Sequence, residues 1–244
     1  GVIMALPKLE VPTYELELPL SKKKIKYRPY LVKEQKALMM AMESSDAKTI
    51  QHNVREILTV CTLSKDVDID ELPIVDIEYY FIQLRAKSVS EISESKYRCN
   101  NEVEDKVCGN IMEAKIDLTE IQPVQSEYVD PEIQLTDTIT VKMKYPPFKL
   151  IKDSVEMEDI TEVTFNMLAQ SIEYVYDGEQ FHYAKEVSVE ELVDFIEQLN
   201  QEQFEKLEKF FNSIPKLSKR IDMKCSKCGF EHHLDVEGLE SFFG

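Results

Sequence analysis

The chain of 244 residues contains no tryptophan and only six glycines. So few glycines leave little backbone for loops that cradle phosphates, and neither G-x-x-x-x-G-K-[ST] nor G-x-G-x-x-G occurs. No apolar run reaches the length of a membrane-spanning helix, so no membrane segment is expected. The amino-terminal residues lack the charged-then-apolar pattern of a signal peptide, so secretion is not expected. Positive charge is scarce: 29 Lys and Arg stand against 46 Asp and Glu, a net charge of −17. A general nucleic-acid binder must neutralise phosphates with Lys and Arg, and this balance disfavours one. Cysteines number five, an odd and sparse set that argues against a disulfide framework and for metal ligation in a reducing compartment.

Four of those cysteines occupy two places. Met223-Lys224-Cys225-Ser226-Lys227-Cys228-Gly229-Phe230 is a Cys-x-x-Cys-Gly turn, in which backbone N–H groups can face thiolate sulfurs. Glycine lets the chain leave such a turn without a Cβ clash. Far upstream lies Cys99, then Cys108-Gly109-Asn110. Both Cys-Gly steps lead into a similar phrase, Ile116-Asp117-Leu118 and Leu234-Asp235-Val236. The pattern is a knuckle and an outgoing strand, twice, as in a two-knuckle zinc ribbon. Cys99, Cys108, Cys225 and Cys228 are the expected ligands of one closed, structural zinc. The first knuckle departs from the usual form, because the eight polar residues 100–107 separate its cysteines as a finger-like excursion. His232 and His233 follow the second knuckle; they are read as strand residues before ligands.

Along the chain, Tyr14, Leu16, Leu18 and Leu20 alternate with acidic residues, predicting a strand within 5–20 that returns over 25–30 as a hairpin. Lys22, Lys23, Lys24, Lys26 and Arg28 form a basic cluster there, readable as a solvated tip or as a docking patch for an acidic partner. Helices are expected from Val32 to Met42, from an Asp46 cap to Cys61, and from Pro73 to Lys87 with Ile74, Ile77, Phe81 and Leu84 as its stripe. Cys61 reads as a core thiol. Residues 132–145 read as one extended run ended by Pro146-Pro147, and Asp159 caps a helix expected to reach Tyr176. Tyr174, Tyr176 and Tyr183 flank an Asp177-Gly178 turn. Ser188-x-x-Glu191 is a capping box, and the two helices after it are expected to form an αα-hairpin stopped by Pro215.

The fold class is therefore α+β. A helical core carries an N-terminal β-hairpin, extra strands and a split two-knuckle zinc ribbon built on four cysteines. The expected divisions are 1–30 (hairpin arm), 31–95 (helical region), 96–121 (first knuckle and strand), 122–220 (inserted α+β segment) and 221–244 (second knuckle and apolar tail). Phe242 and Phe243 at the end of that tail either tuck under the ribbon or contact a partner.

Leu6-Pro7-Lys8-Leu9-Glu10-Val11-Pro12, Leu18-Pro19 and the stretch from Lys24-Ile25-Lys26-Tyr27-Arg28-Pro29-Tyr30 through Leu31-Val32-Lys33-Glu34-Gln35-Lys36-Ala37-Leu38 resemble the opening of the T4-type bacteriophage baseplate hub proteins. The cysteine-bearing later region and the ending Gly238 to Phe243 fit the same family. The resemblance covers most of the chain and is sharpest over its first 45 residues or so. It implies a non-enzymatic protein needed to build the central hub of a contractile-tail baseplate. It implies synthesis in the host cytoplasm and partners among other baseplate and hub proteins. It leaves open whether the protein stays in the virion tail baseplate or acts as an assembly factor. The competing reading is a nucleic-acid-binding zinc-ribbon accessory of phage transcription, for which Lys216, Lys219, Arg220, Lys224, Lys227 and Phe230 are the available groups. A metallohydrolase ranks last, since four thiolates leave zinc no open position.

Overall fold

The structure, a computed structural model, describes residues 9–44, 46–125, 127–151 and 159–237. Proline cannot donate to a strand ladder, and Pro12 and Pro19 bracket the first strand, β1 (Tyr14–Glu17). Of the strand expected within 5–20, residues 5–8 lie outside the described residues, and over 9–20 it shortens to four residues. It pairs antiparallel with β2 (Lys24–Tyr27), setting Tyr14 opposite Tyr27 and Leu16 opposite Ile25. Helix α1 (Val32–Ser44) follows, then α2 (Ala47–Cys61), whose Asp46 cap accepts the Thr49 N–H at 3.0 Å. Cys61 ends α2 fully buried among Leu18, Ile25, Leu58 and Tyr80, and burial pushes its thiol up to about 11.

Helix α3 (Ile74–Ser88) departs from its expected stripe, because it is buried almost all round. Ile77, Tyr80 and Leu84 face the hairpin and α2. Val75, Tyr79, Ile82 and Ala86 face a second core with Leu118, Ile121, Leu217 and Val236. A helix buried on most of its sides is one enclosed between layers. Asp76 sits within it, 0% exposed, and its two carboxylate oxygens accept the N–H groups of Leu20 at 2.7 Å and Ser21 at 2.8 Å. This fastens the turn of the amino-terminal hairpin to the central helix.

From α3 the chain enters β3 (Ile92–Arg98), a small excursion of β4 (Glu102–Val103) and β5 (Lys106–Val107), and β6 (Ile111–Asp117), which pairs with β3 in register Arg98 to Ile111 through Ile92 to Asp117. Strand β7 (Pro123–Val124) later joins the carboxy-terminal sheet. The run expected over 132–145 is instead a hairpin of β8 (Glu132–Gln134) and β9 (Thr140–Met143). The Thr136 hydroxyl accepts the Ile139 N–H at 2.9 Å and turns the chain between them.

Helix α4 (Ile160–Gln170) is capped by Asp159 as expected, but it stops six residues short of Tyr176. Ile172-Glu173-Tyr174-Val175-Tyr176 forms strand β10, because β-branched and aromatic residues there find β9 on one side and β11 (Phe181–Tyr183) on the other. Tyr174 stands opposite Tyr183 across the Asp177-Gly178 turn, where Gly178 takes φ +97°. The Ser188–Glu191 capping box opens α5 (Val189–Glu197), and α6 (Gln201–Asn212) follows with an Asn200 cap. These two helices do not form the expected αα-hairpin; α5 lies chiefly on α4, and α6 closes the same core through Leu207 and Phe210. The last strands, β12 (Lys216–Lys224) and β13 (Glu231–Glu237), make a three-stranded sheet in the order β13-β12-β7. The chain is a mixed α+β protein.

Two expectations follow from these contacts. Asp76→Ala leaves two part-buried N–H groups without their acceptor and is expected to cost about 2–4 kcal/mol in urea unfolding. Asp76→Asn, which keeps one acceptor, should cost less; equal losses would place the effect elsewhere. The Glu34 carboxylate accepts the Leu31 N–H at 2.6 Å and pairs with Arg28 at 3.1 Å. Burial alone would raise its pKa, but the Leu31 N–H and the Arg28 guanidinium outweigh it and hold the pKa below the ordinary value. A depressed carboxyl pKa stabilises the fold above the unfolded value of about 4.3, and this is lost as pH falls through the folded pKa. Glu34→Gln should therefore lower stability at pH 7 and shrink the loss between pH 7 and pH 3, measured by urea unfolding at both values.

Candidate metal centre

Two β-ribbons meet end to end at the cysteines. The turn between β12 and β13 holds Cys225 and Cys228; the turn between β3 and β6 holds Cys99 and Cys108. Both turns close with the same two backbone bonds. The Cys225 N–H donates to the Phe230 carbonyl at 2.8 Å, and the Gly229 N–H donates to the Cys225 carbonyl at 2.9 Å. In the other turn the Cys99 N–H donates to the Asn110 carbonyl at 2.8 Å, and the Gly109 N–H to the Cys99 carbonyl at 3.0 Å. Gly109 and Gly229 take φ of +66° and +74°, the left-handed region where a side chain is strained. The eight-residue spacing is thereby explained. The β4–β5 hairpin is inserted between two cysteines of an otherwise ordinary knuckle, and the Cys108 N–H closes its base on the Asn101 carbonyl at 2.8 Å.

The four sulfurs all lie within 4.8 Å of one another. Two close pairs cross between the ribbons: Cys99 to Cys228 at 3.6 Å and Cys108 to Cys225 at 3.8 Å. A tetrahedron of sulfurs about 2.3 Å from a central zinc has edges of roughly 3.8 Å, so this donor set fits a tetrathiolate metal. Polar groups surround the sulfurs. Asn110 Nδ2 lies 3.4 Å from Cys225 Sγ, and Asn101 Nδ2 lies 3.7 Å from Cys228 Sγ. His232, which is buried, brings Nε2 to 3.2 Å from Cys99 Sγ, with its ring edge-on to Phe230 at 4.8 Å between centroids. Lys227 donates to the Cys108 carbonyl at 3.0 Å.

The thiols are unequal. The backbone N–H of Cys228, with help from that of Lys227, draws Cys225 down to about 6. Burial first, and then its cysteine neighbours, push Cys99 up to about 12. Four thiolates packed this closely repel one another, and a divalent cation is the group that lets all four ionise together.

In the sequence the two histidines read as strand residues that could also substitute for a ligand. His233 is exposed and pairs with Asp222. His232 instead contacts a sulfur through its ring nitrogen, a role that alternation along β13 alone does not reveal. Asn101 and Asn110 carry no motif that marks them, although each sits within two residues of a cysteine.

The other expected contact residues are dispersed. Lys22, Lys23, Lys24 and Lys26 are exposed on the hairpin. Arg28 is turned inward, bonded to Glu34 and to the Pro29 carbonyl. Phe242 and Phe243 lie outside the described residues. The cations near the second knuckle are paired at home: Lys216 with Glu237, Lys219 with Glu120, Arg220 with Asp222 and Lys224 with Glu231, at 2.9–3.3 Å. Among the described residues no helix is long and apolar enough to cross a membrane.

Comparison with known proteins places the chain in its context. It is 23% identical over 231 residues to the baseplate hub assembly protein gp26 of Enterobacteria phage T4, an alignment that spans 94% of this chain and 97% of that one. No solved structure matches it. The family described as T4 bacteriophage base plate protein matches residues 11–244, and the chain belongs to that family.

Proposed function

We propose that the chain is a non-enzymatic hub assembly factor or hub subunit of a contractile-tail baseplate, acting through contacts with other baseplate proteins. The observation that carries this reading is the end-to-end similarity to a baseplate hub assembly protein. The chemistry of the cysteines agrees with a scaffolding role. Cys61 is buried with a raised thiol pKa, which suits packing and not nucleophilic attack. Four thiolates around one metal leave no position for substrate.

Within this reading Cys99, Cys108, Cys225 and Cys228 hold one structural zinc. When bound, the metal neutralises the thiolates and ties the β3–β6 ribbon to the β12–β13 ribbon. His232, Asn101 and Asn110 then hold the sulfurs in place from outside, as groups around metal ligands do. The exposed lysines 22–24 and 26 of the hairpin, together with Phe242 and Phe243, are the proposed partner contacts. The nucleic-acid reading is weaker, because four of the five cations on which it depends, Lys216, Lys219, Arg220 and Lys224, are already paired with carboxylates.

Two measurements test this. Purified protein is expected to carry about one zinc per chain. Metal that binds only the folded state adds about 4 kcal/mol when present at a thousand times its Kd, so chelation should lower the melting temperature by many degrees. Cys228→Ser should do the same without chelator; full stability in the metal-free protein would remove the structural zinc. For the assembly role, cells infected by phage lacking this chain would be complemented in trans. Wild type should restore baseplate hubs, whereas a Lys22, Lys23, Lys24, Lys26→Glu variant with unchanged melting should not. Full complementation by that variant would exclude the hairpin as a contact.

A further inference from the structure

Two cores of the molecule, that of the ribbons and that of the inserted segment, meet at one surface groove of about 280 Å³. Its walls come from distant parts of the chain: Ile74 and Val75 at the start of α3, Tyr145 after β9, Met167 of α4, Phe211 of α6 and Leu217 of β12. The wall is thus mostly carbon, and it is rigid. Val75 and Leu217 are themselves core residues, and Pro73, Pro146 and Pro215 stiffen the rim.

Three charged groups line this groove: Glu78, Lys216 and Glu237. Lys216 and Glu237 satisfy each other at 2.9 Å. That leaves Glu78, one turn into α3, whose carboxyl has no hydrogen bond or ion pair with any described residue. Burial, with a smaller contribution from Glu237, pushes its pKa up. An acidic group held against an apolar wall with no cation of its own is costly, and a cation arriving with an apolar ligand offsets that cost. Among the described residues the groove therefore combines an apolar surface with one unmatched acidic group.

We propose that this groove docks a short apolar segment of another protein carrying one arginine or lysine, with that cation placed on Glu78. The inference rests on the baseplate reading only for which protein supplies the segment; the chemistry of the groove stands apart from it. Charge decides against two other occupants. Residues 238–244 follow Glu237 directly in the chain, but they contain Glu240 and no Lys or Arg, so they would bring a further acid and no cation to Glu78. A second copy of this chain could offer the basic hairpin, yet the apolar side chains there, Ile25 and Tyr27, are 1% and 2% exposed and already spent in the core.

The test uses the full chain with its methionine methyl groups isotope-labelled, since Met167 reports on the groove directly. Its signal is assigned by loss in Met167→Leu. The probes are blocked hexapeptides of leucine, phenylalanine and proline with one central arginine, and the same peptides with neutral citrulline in its place. Arginine peptides are expected to move the Met167 signal and to bind at least about tenfold more tightly than citrulline peptides, a difference of about 1.4 kcal/mol. Glu78→Gln should erase that difference while leaving the melting temperature unchanged or higher. Three results overturn the proposal: arginine peptides that leave Met167 unmoved, equal binding of the two peptide sets, or an arginine preference that survives Glu78→Gln. A chain shortened after Glu237 supplies a fourth. If that removal alone moves the Met167 signal, the groove belongs to the chain's own end. Hub complementation by Glu78→Gln is scored separately, so failure of the baseplate reading and failure of the groove remain distinct.

Discussion

Bringing Cys108 beside Cys225 joins residues 117 apart in the sequence, and Cys99 to Cys228 joins residues 129 apart. Everything between them, from β6 to β12, is thereby enclosed as a loop. Closing such a loop costs entropy that grows only slowly with its length, so a large insertion is tolerated when its two ends are held. The ends here are held twice. The sulfurs gather at the tips of the ribbons, and Leu118, Ile121, Leu217 and Val236 pack together on α3 at their bases. The residues between them then need only a core of their own, which Ile133, Val141, Leu168, Ile172, Leu207 and Phe210 supply.

The central helix links these parts for a simple reason. One face of α3 belongs to the hairpin core and the other to the ribbon core, so neither core is complete without it. Asp76 adds a polar fastening at the same place. A fully buried carboxylate is tolerated when it accepts hydrogen bonds, and its two bonds fix where the amino-terminal hairpin turns. The lysines of that hairpin consequently project from a rigid base.

Much of this was legible in the residues. Asp46, Asp159 and the Ser188–Glu191 box marked helix starts correctly, because a cap acts through atoms two or three positions away. The gathering of Cys99, Cys108, Cys225 and Cys228 followed from Cys-Gly turns and the repeated strand phrase after them. The misreadings share a cause, which is that the deciding partner lay far away. Residues 172–176 continue an apolar helical pattern from α4, yet they become a strand because β9 and β11 are there to pair with them. The stripe expected on α3 counted one face, because nothing local reveals that Val75, Tyr79 and Ile82 meet Leu217 and Val236. The nearness of His232 to Cys99 depends on two ribbons whose residues stand 133 apart.

Charge separates a scaffold from a nucleic-acid reader more sharply than the four-cysteine cluster does. A ribbon that binds phosphates must hold its lysines free, since affinity comes from the counterions they displace. On β12 the pattern is reversed. Lys216, Lys219, Arg220 and Lys224 each have a carboxylate within 3.3 Å, three of them on the same β12–β13 ribbon. Exposed pairs of this kind stabilise little, but they cancel the local field. What remains at long range is the net charge of −17. Such a field repels nucleic acid and attracts basic protein surfaces. Paired lysines of this kind have no counterions to release to a phosphate backbone, so the charge pattern of β12 favours contacts with protein over contacts with nucleic acid.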